Sequence, residues 1–498
     1  MKTKMTMLAL AAVAACALEA KVQFGVPFAD HVVLQRDRAL PVWGTADAGE
    51  KVKVCFAGQT VETTAAADGS WSVQLAPLAT SCEGHTLTAN DAAVNDVLVG
   101  EVWYCCGQSN AELPLCGDNP HFRDGKGLLR ARMTNKPFVR FCYQSNYRTS
   151  VEPKKVPAKP VEWKTFTADN LLKGSSFSAM GFYFALEIHN ALGIPVGIVG
   201  SYFGGTRAEA WTPKSGLESV PSCRAYAEQK LLNEEEFRKG RENKTVKFGG
   251  LQDQPRVLWN EMVAPWVPFA IKGFIWYQGC SNADDGLAYA DKMHALYNGW
   301  AKEFRNPDLK LYFVQLAPWG YDKIATIQEA QAIFAAAEKN AGMAVINDRG
   351  NLDDIHPNDK ETVGMRLAAL ALSRDYGFDD LCAESPTVKD WKVEGDTFVL
   401  TFNHANRLYV YNPNWSSIDV GFEIAGPDGV FKPARITTLV PFFGSKERSH
   451  GAIDGDGLRV RAEGVTEPKK LRYLHSRPWF GCLYGETGLP VGAFHIGD

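Results

Sequence analysis

The 498-residue chain has no long apolar run beyond residue 18, so its body holds no candidate transmembrane helix. It also lacks an excess of one charge. The formal net charge is −4, which excludes the broad basic surface that nucleic acid or anionic lipid would require. Acidic tails, low-complexity tracts and internal repeats are absent. No Cys/His grouping has zinc spacing, and neither an EF-hand loop nor a His-Glu-x-x-His occurs. Gly-x-Ser-x-Gly is missing too, which argues against an ordinary α/β-hydrolase nucleophile elbow.

What remains is ordinary globular composition, 45% hydrophobic and 22% charged, long enough for about two to four domains. The first residues read as an export signal. Lys2 and Lys4 supply positive charge, and 5–18 is apolar apart from Thr6. Cleavage is expected after Ala20; Val13-Ala14-Ala15-Cys16 offers the alternative of a lipoprotein box with Cys16 as the lipidated residue. Either way the protein is expected outside the cytoplasm, periplasmic or extracellular, or held at the outer membrane by lipid. Eleven cysteines are present; export permits disulfides, but the spacings fix no pairing.

Residues 21–95 read as a β domain. Lys51-Val52-Lys53-Val54-Cys55-Phe56 alternates as a strand with one wet and one packed face. From about 96 to 380, strand-like runs (97–106, 196–200, 271–277, 309–315, 343–346) alternate with helical stretches (177–192, 287–304, 324–341, 358–376). That pattern predicts an α/β core with a mostly parallel sheet covered by helices. Polar, irregular insertions fall at about 111–170 and 213–256. From about 381 to 498 the chain is β again, and the two β segments are expected to pack together as accessory sandwich-type domains.

The apolar run 97–106 stops at Gly107-Gln108-Ser109-Asn110. It reads as a strand buried on both faces, ending in a tight turn that exposes the Ser109 hydroxyl where open α/β sheets place ligands. A plain turn with Ser109 capping the next helix fits the same residues. Three more clusters follow strands or precede a helix: Gly204-Gly205-Thr206-Arg207, Gln278-Gly279-Cys280-Ser281-Asn282, and Asp353-Asp354-Ile355-His356-Pro357. In a parallel sheet these ends open at one edge. A serine attacks an acyl carbon when a base takes its proton, and His356 suits that work. An acid must orient the imidazole; Asp353 and Asp354 both remain in reach. For a tetrahedral oxyanion the available donors are the Ser109 amide, an amide at Gly204-Gly205 and the Asn282 side chain.

Taken together, Gly107-Gln108-Ser109-Asn110, Gly204-Gly205-Thr206 with Glu209-Ala210-Trp211, Trp276-Tyr277-Gln278-Gly279-x-Ser281-Asn282 and Asp354-Ile355-His356-Pro357 resemble the sialate O-acetylesterase family of SGNH hydrolases. Val33-Leu34-Gln35-Arg36, Pro41-Val42-Trp43-Gly44 and 259–265 fit as well, so the likeness runs from about 27 to 375. It implies a flavodoxin-like three-layer core between N- and C-terminal β domains. It also implies removal of O-acetyl groups from sugars without metal or organic cofactor. By the resemblance Ser109 is the nucleophile and His356 the base, Gly205 and Asn282 are oxyanion donors, and Gln278 and Gln108 line the substrate site. One position departs: the family usually has glutamate where this chain has Cys280. That puts weight on Asp353 or Asp354, and, together with Trp71, Trp391, Trp415 and Trp479 in the flanking β segments, opens the alternative of a carbohydrate-binding protein that lost catalysis. The motifs do not separate sialate from acetylated xylan. A Cys280 nucleophile would have no partner that Ser109 lacks.

Overall fold

The computed structural model describes residues 22–144, 148–173, 177–230, 235, 236, 239, 250–320, 322–411, 420–441, 450–453, 457–475 and 480–497. The expected export signal with Cys16, part of the second insertion, Trp415 and Trp479 lie outside the described residues.

The central sheet is built from β1 (Ala92–Gly107), β2 (Asn135–Tyr143), β3 (Trp163–Thr167), β4 (Val196–Tyr202), β5 (Gly273–Tyr277), β6 (Lys310–Val314) and β7 (Ala341–Ala344), in the spatial order β3-β2-β4-β1-β5-β6-β7. Every neighbouring pair is parallel except β3 against β2. The chain reverses its direction of travel across the sheet next to β1, and such a switch point is where ligands bind in open α/β sheets.

β1 is buried from Val97 to Gly107, as its apolar run requires. Its alternate side chains face opposite sides. Trp103 packs edge-on against Phe184 of α2 (Ala179–Leu192), while Tyr104 packs against Trp300 of α3 (Tyr289–Glu303). Helices therefore cover both faces. α2 begins where Ser178 accepts the Gly181 N–H and ends at Gly193 in the left-handed conformation. The four helical stretches read from periodicity are all present, with shifted ends. The last of them is α4 (Lys360–Asp375), N-capped by Asp359. The last core strand lies two residues earlier than its apolar pattern suggested. Small Ala341 and Gly342 are in the ladder, and Val345 and Ile346 are buried beyond it.

The β segments behave differently from each other. Lys51–Phe56 alternates exposed and buried positions as expected. β1 itself runs back across residue 95, pairing with Ser81–Ala89 at its start and with the core at its end. The N-terminal apolar residues consequently belong to one cluster with the α/β core, whereas 398–493 form a cluster of their own. This corrects the expectation that the two β segments pack on each other: a shared strand ties the first to the core instead. The C-terminal segment holds a seven-stranded and a four-stranded antiparallel sheet. All ten cysteines among the described residues are free, and Cys105 and Cys106 fill the core as small apolar groups.

Candidate active site

Three strand ends stand side by side. Tyr202 of β4 and Tyr277 of β5 both pair with Gly107 of β1, so the clusters that follow them start at one level of one edge. Gly107 has φ +138, and a Cβ there would lie 2.3 Å from the Tyr277 carbonyl oxygen. Only glycine lets the chain turn at that point. The turn leads into α1 (Ser109–Glu112), whose N-cap is Gln108 without a side-chain cap bond. Ser109 thus does not spend its hydroxyl on capping.

That hydroxyl meets the imidazole instead. Nε2 of His356 lies 2.8 Å from Oγ of Ser109, although 247 positions separate them. The His356 loop is held from several sides. Asn110 donates to the Ile355 carbonyl at 2.9 Å, and the Phe122 ring stands edge-on to the imidazole with centroids 5.1 Å apart. Asp354 Oδ1 accepts the His356 backbone N–H at 2.9 Å and sits 3.5 Å from Nδ1. Asp353 turns away: its N–H goes to Asn351 Oδ1, and it makes no bond to His356 among the described residues. Of the two acids left open by sequence, geometry puts Asp354 at the ring.

Burial lowers the His356 pKa below the ordinary imidazole value, Asp354 opposes the shift, and Lys360 adds to it. The ring is accordingly neutral at neutral pH and ready to take a proton. Lys360 was not foreseen. It is fully buried, its Nζ donates to Asn110 Oδ1 at 2.7 Å and lies 4.9 Å from the centre of the Tyr277 ring. Desolvation pushes it down to about 7. Cys280 is pushed up to about 12, again by burial, so it is a neutral thiol rather than a nucleophilic thiolate.

Gly204 approaches Ser109 closely; a Cβ there would lie 3.3 Å from the Ser109 Cβ. The Gly204 N–H is taken by Glu112 Oε2 at 3.0 Å. The Gly205 N–H, with φ +70 at that residue, carries no intramolecular bond among the described residues, and neither does the Ser109 N–H at the start of α1.

The other expected site residues hold loops together. Both hydrogens of the Asn282 amide are taken, by Glu209 at 2.9 Å and Asp285 at 2.6 Å. This corrects the expectation that the amide stands free. Gln278 is fully buried, donating to the Thr206 carbonyl and Asn282 Oδ1 and accepting from Tyr289. Gln108 accepts the Gly279 N–H at 2.9 Å and is almost as buried. Neither glutamine side chain is presented to a ligand, which corrects their reading as substrate contacts.

Behind them Arg207, Glu209, Asp285 and Lys292 form a compact ionic network. Burial alone would raise Asp285, but hydrogen bonds from Lys292, Asn282 and Arg207 outweigh it and hold the carboxyl below its usual range. Sequence reasoning missed these contacts because those that tie the 207–209 segment to the 282–292 segment span 73 to 83 positions, which no local spacing reveals.

The family model described as "Carbohydrate esterase, sialic acid-specific acetylesterase" matches residues 99–373. Sialate O-acetylesterase of Rattus norvegicus is 27% identical over 443 residues, covering 78% of this chain and 80% of the rat protein. The Homo sapiens protein of the same name is 27% identical over 430 residues, 78% of each chain. A solved carbohydrate acetylesterase from Xanthomonas citri superposes with a TM-score of 0.80 at 31% identity, over 96% of this chain and all of that one. The chain therefore belongs to the sialic acid-specific acetylesterase family of carbohydrate esterases and is an ester hydrolase.

Proposed function

We propose that the protein is an exported serine esterase that removes O-acetyl groups from sialic acids or related acetylated glycans by a Ser-His-Asp mechanism. The observation that carries this reading is the 2.8 Å contact between His356 Nε2 and Ser109 Oγ at a sheet edge. The strand order across β4, β1, β5, β6 and β7 supports the SGNH-type, flavodoxin-like core. The domains divide at about residues 95 and 380, the first junction falling inside a continuous strand. Export rests on the N-terminal segment; among the described residues no helix is long and apolar enough to cross a membrane.

For Nε2 to accept the hydroxyl proton, the other ring proton must sit on Nδ1, the nitrogen that Asp354 faces. As Ser109 Oγ bonds to the acetyl carbonyl carbon, its proton passes to Nε2. The Ser109 and Gly205 N–H groups donate to the carbonyl oxygen as it gains charge. The C–O bond to the sugar then breaks, and the imidazolium returns the proton to the departing sugar oxygen. Water repeats the sequence on acetyl-Ser109 and frees acetate. Asp354 stabilises the imidazolium in both halves; its 3.5 Å separation from Nδ1 is of the kind that shortens when substrate closes the site.

Sialic acid leads as substrate because the curated relatives carry that name. Acetylated plant polysaccharide is the second substrate class, since attack of Ser109 on an acetyl carbon does not depend on which sugar carries it. The alternative of a catalytically weakened binding protein rests on Cys280 and on the tryptophans of the flanking β segments, and the intact Ser109–His356 pair argues against it. Incubating the purified protein with O-acetylated N-acetylneuraminic acid and with acetylated xylan, and measuring acetate, tests the reading. Release from the sialic acid is expected; release from neither would overturn it.

A further inference from the structure

A cavity of about 930 Å³ opens beside His356 and Asp354. That is near the upper end of small-molecule sites, roughly 300–1,000 Å³, and it adjoins the catalytic pair on the His356 side, Ser109 not being among its lining residues. One wall is the 345–359 loop, with Arg349, Asn351, Asp354 and His356. The other wall comes from the C-terminal β segment. There Leu408–Tyr411 pairs antiparallel with Leu483–Gly485, Tyr409 standing directly opposite Tyr484 and Val410 opposite Leu483. Side chains alternate along a strand. Val410 and Leu483 therefore point into the C-terminal core, and Tyr409, Tyr411 and Tyr484 share the face that lines the cavity. Tyr411 leaves 55% of its surface to solvent. The wall is fixed to the catalytic loop: the Gly481 N–H donates to the Asn347 carbonyl at 2.8 Å, and the Asn347 amide donates to the Val491 carbonyl at 2.6 Å.

A cavity with tyrosine rings on one side and amide, guanidinium and carboxylate groups on the other fits a ligand with the same two-sidedness. A pyranose ring has it, with an apolar C–H face and a rim of hydroxyls. Aromatic faces carry partial negative charge that attracts such C–H groups. The geometry points to a second sugar subsite on the C-terminal domain, at Tyr409, Tyr411 and Tyr484, which takes the residue attached to the acetylated one. The preferred substrate is then an acetylated oligosaccharide rather than the free acetylated monosaccharide. This inference rests on the esterase reading of Ser109 and His356.

The test compares kcat/KM for O-acetylated sialyllactose with that for free O-acetylated N-acetylneuraminic acid, and for acetylated xylotriose with acetylated xylose. In at least one pair the wild-type protein prefers the oligosaccharide, and Tyr411→Ala lowers that preference about tenfold, which corresponds to about 1.4 kcal/mol. Tyr411→Phe keeps the ring and keeps the preference, whereas a merely folding-related loss would lower both members of a pair together. Equal rates on mono- and oligosaccharide in wild type, or a preference untouched by Tyr411→Ala, would overturn the subsite and leave the esterase standing. No acetate from any of the four compounds would remove both.

Discussion

Asn282 donates its side-chain amide to the Glu209 carboxylate across 73 positions of sequence, at 2.9 Å, in a site closed to solvent. The bond makes Asn282 a fixture of the loop that presents Gly205. Replacing it leaves Glu209 and Asp285 short of donors and the Gln278 amide and the Ala208 N–H short of an acceptor. Each unsatisfied buried group costs about 1–3 kcal/mol. Asn282→Ala is expected to lower unfolding free energy by about 2–4 kcal/mol in urea titration, together with activity. Unchanged stability with reduced kcat would instead mark it as a transition-state donor.

The neighbouring ion pairs lead to a stronger expectation. Glu209 is almost completely buried and faces both Arg207 and Lys292. Removing one partner of a buried pair costs about 3–5 kcal/mol. Glu209→Ala is expected to destabilise by that amount, with a raised KM for acetyl esters because the Gly204-Gly205 loop loses its anchor. Thermal unfolding and steady-state kinetics check the two effects on the same preparation.

Asp354 and Asp353 separate cleanly by substitution. Asp354→Asn is expected to lower kcat about 10- to 100-fold, less than a tightly bonded triad acid would, because 3.5 Å is a loose approach to Nδ1. Asp353→Asn, whose parent makes no bond to the ring among the described residues, should leave kcat within about twofold. Kinetics on a small acetate ester decide between them.

The pH profile follows from the same groups. His356 must be neutral to act as base, and burial places its pKa below the ordinary 6.5. The acid limb of kcat/KM should have its midpoint below 6.5, with activity lost as pH falls through it. Because Asp354 raises that pKa, Asp354→Asn should move the limb to still lower pH. A limb at or above 6.5 in the wild type would contradict the assignment.

Lys360 gives a stability test. Its pKa falls from 10.5 to about 7 on folding, mainly through desolvation. Between those values the unfolded chain holds a proton that the folded chain has released, so this group makes stability rise with pH across that window. Lys360→Met should therefore gain most over wild type below about pH 7, and the gain should shrink toward 10.5. Paired melting curves across pH measure the difference.

The sequence disclosed what depends on local pattern. The apolar run into Gly107 marked β1 and its turn, and the same alternation of strand and helix gave the core. Ser109 and His356 were legible because few residue types do their chemistry. Asp354 was not separable from Asp353, since a loop side chain's direction depends on turn geometry, here the local turn in which Asn351 accepts the N–H groups of both. Asn282 and Gln278 matched a motif, yet their side chains are consumed by each other and by Thr206, Glu209, Asp285 and Tyr289. The start of β7 was misplaced because Ala341 and Gly342 extend the alanine-rich helix pattern before them. The place of the tyrosine wall beside His356 depends on how the C-terminal segment docks.

The central claim is that His356 activates Ser109 as the nucleophile. Treating the wild-type protein with a fluorophosphonate and locating the added mass by peptide mapping tests it directly. The account predicts stoichiometric labelling at Ser109, parallel loss of acetyl-ester hydrolysis, and little labelling in His356→Ala. Complete inactivation with the label elsewhere, or full activity after Ser109 is labelled, would contradict it.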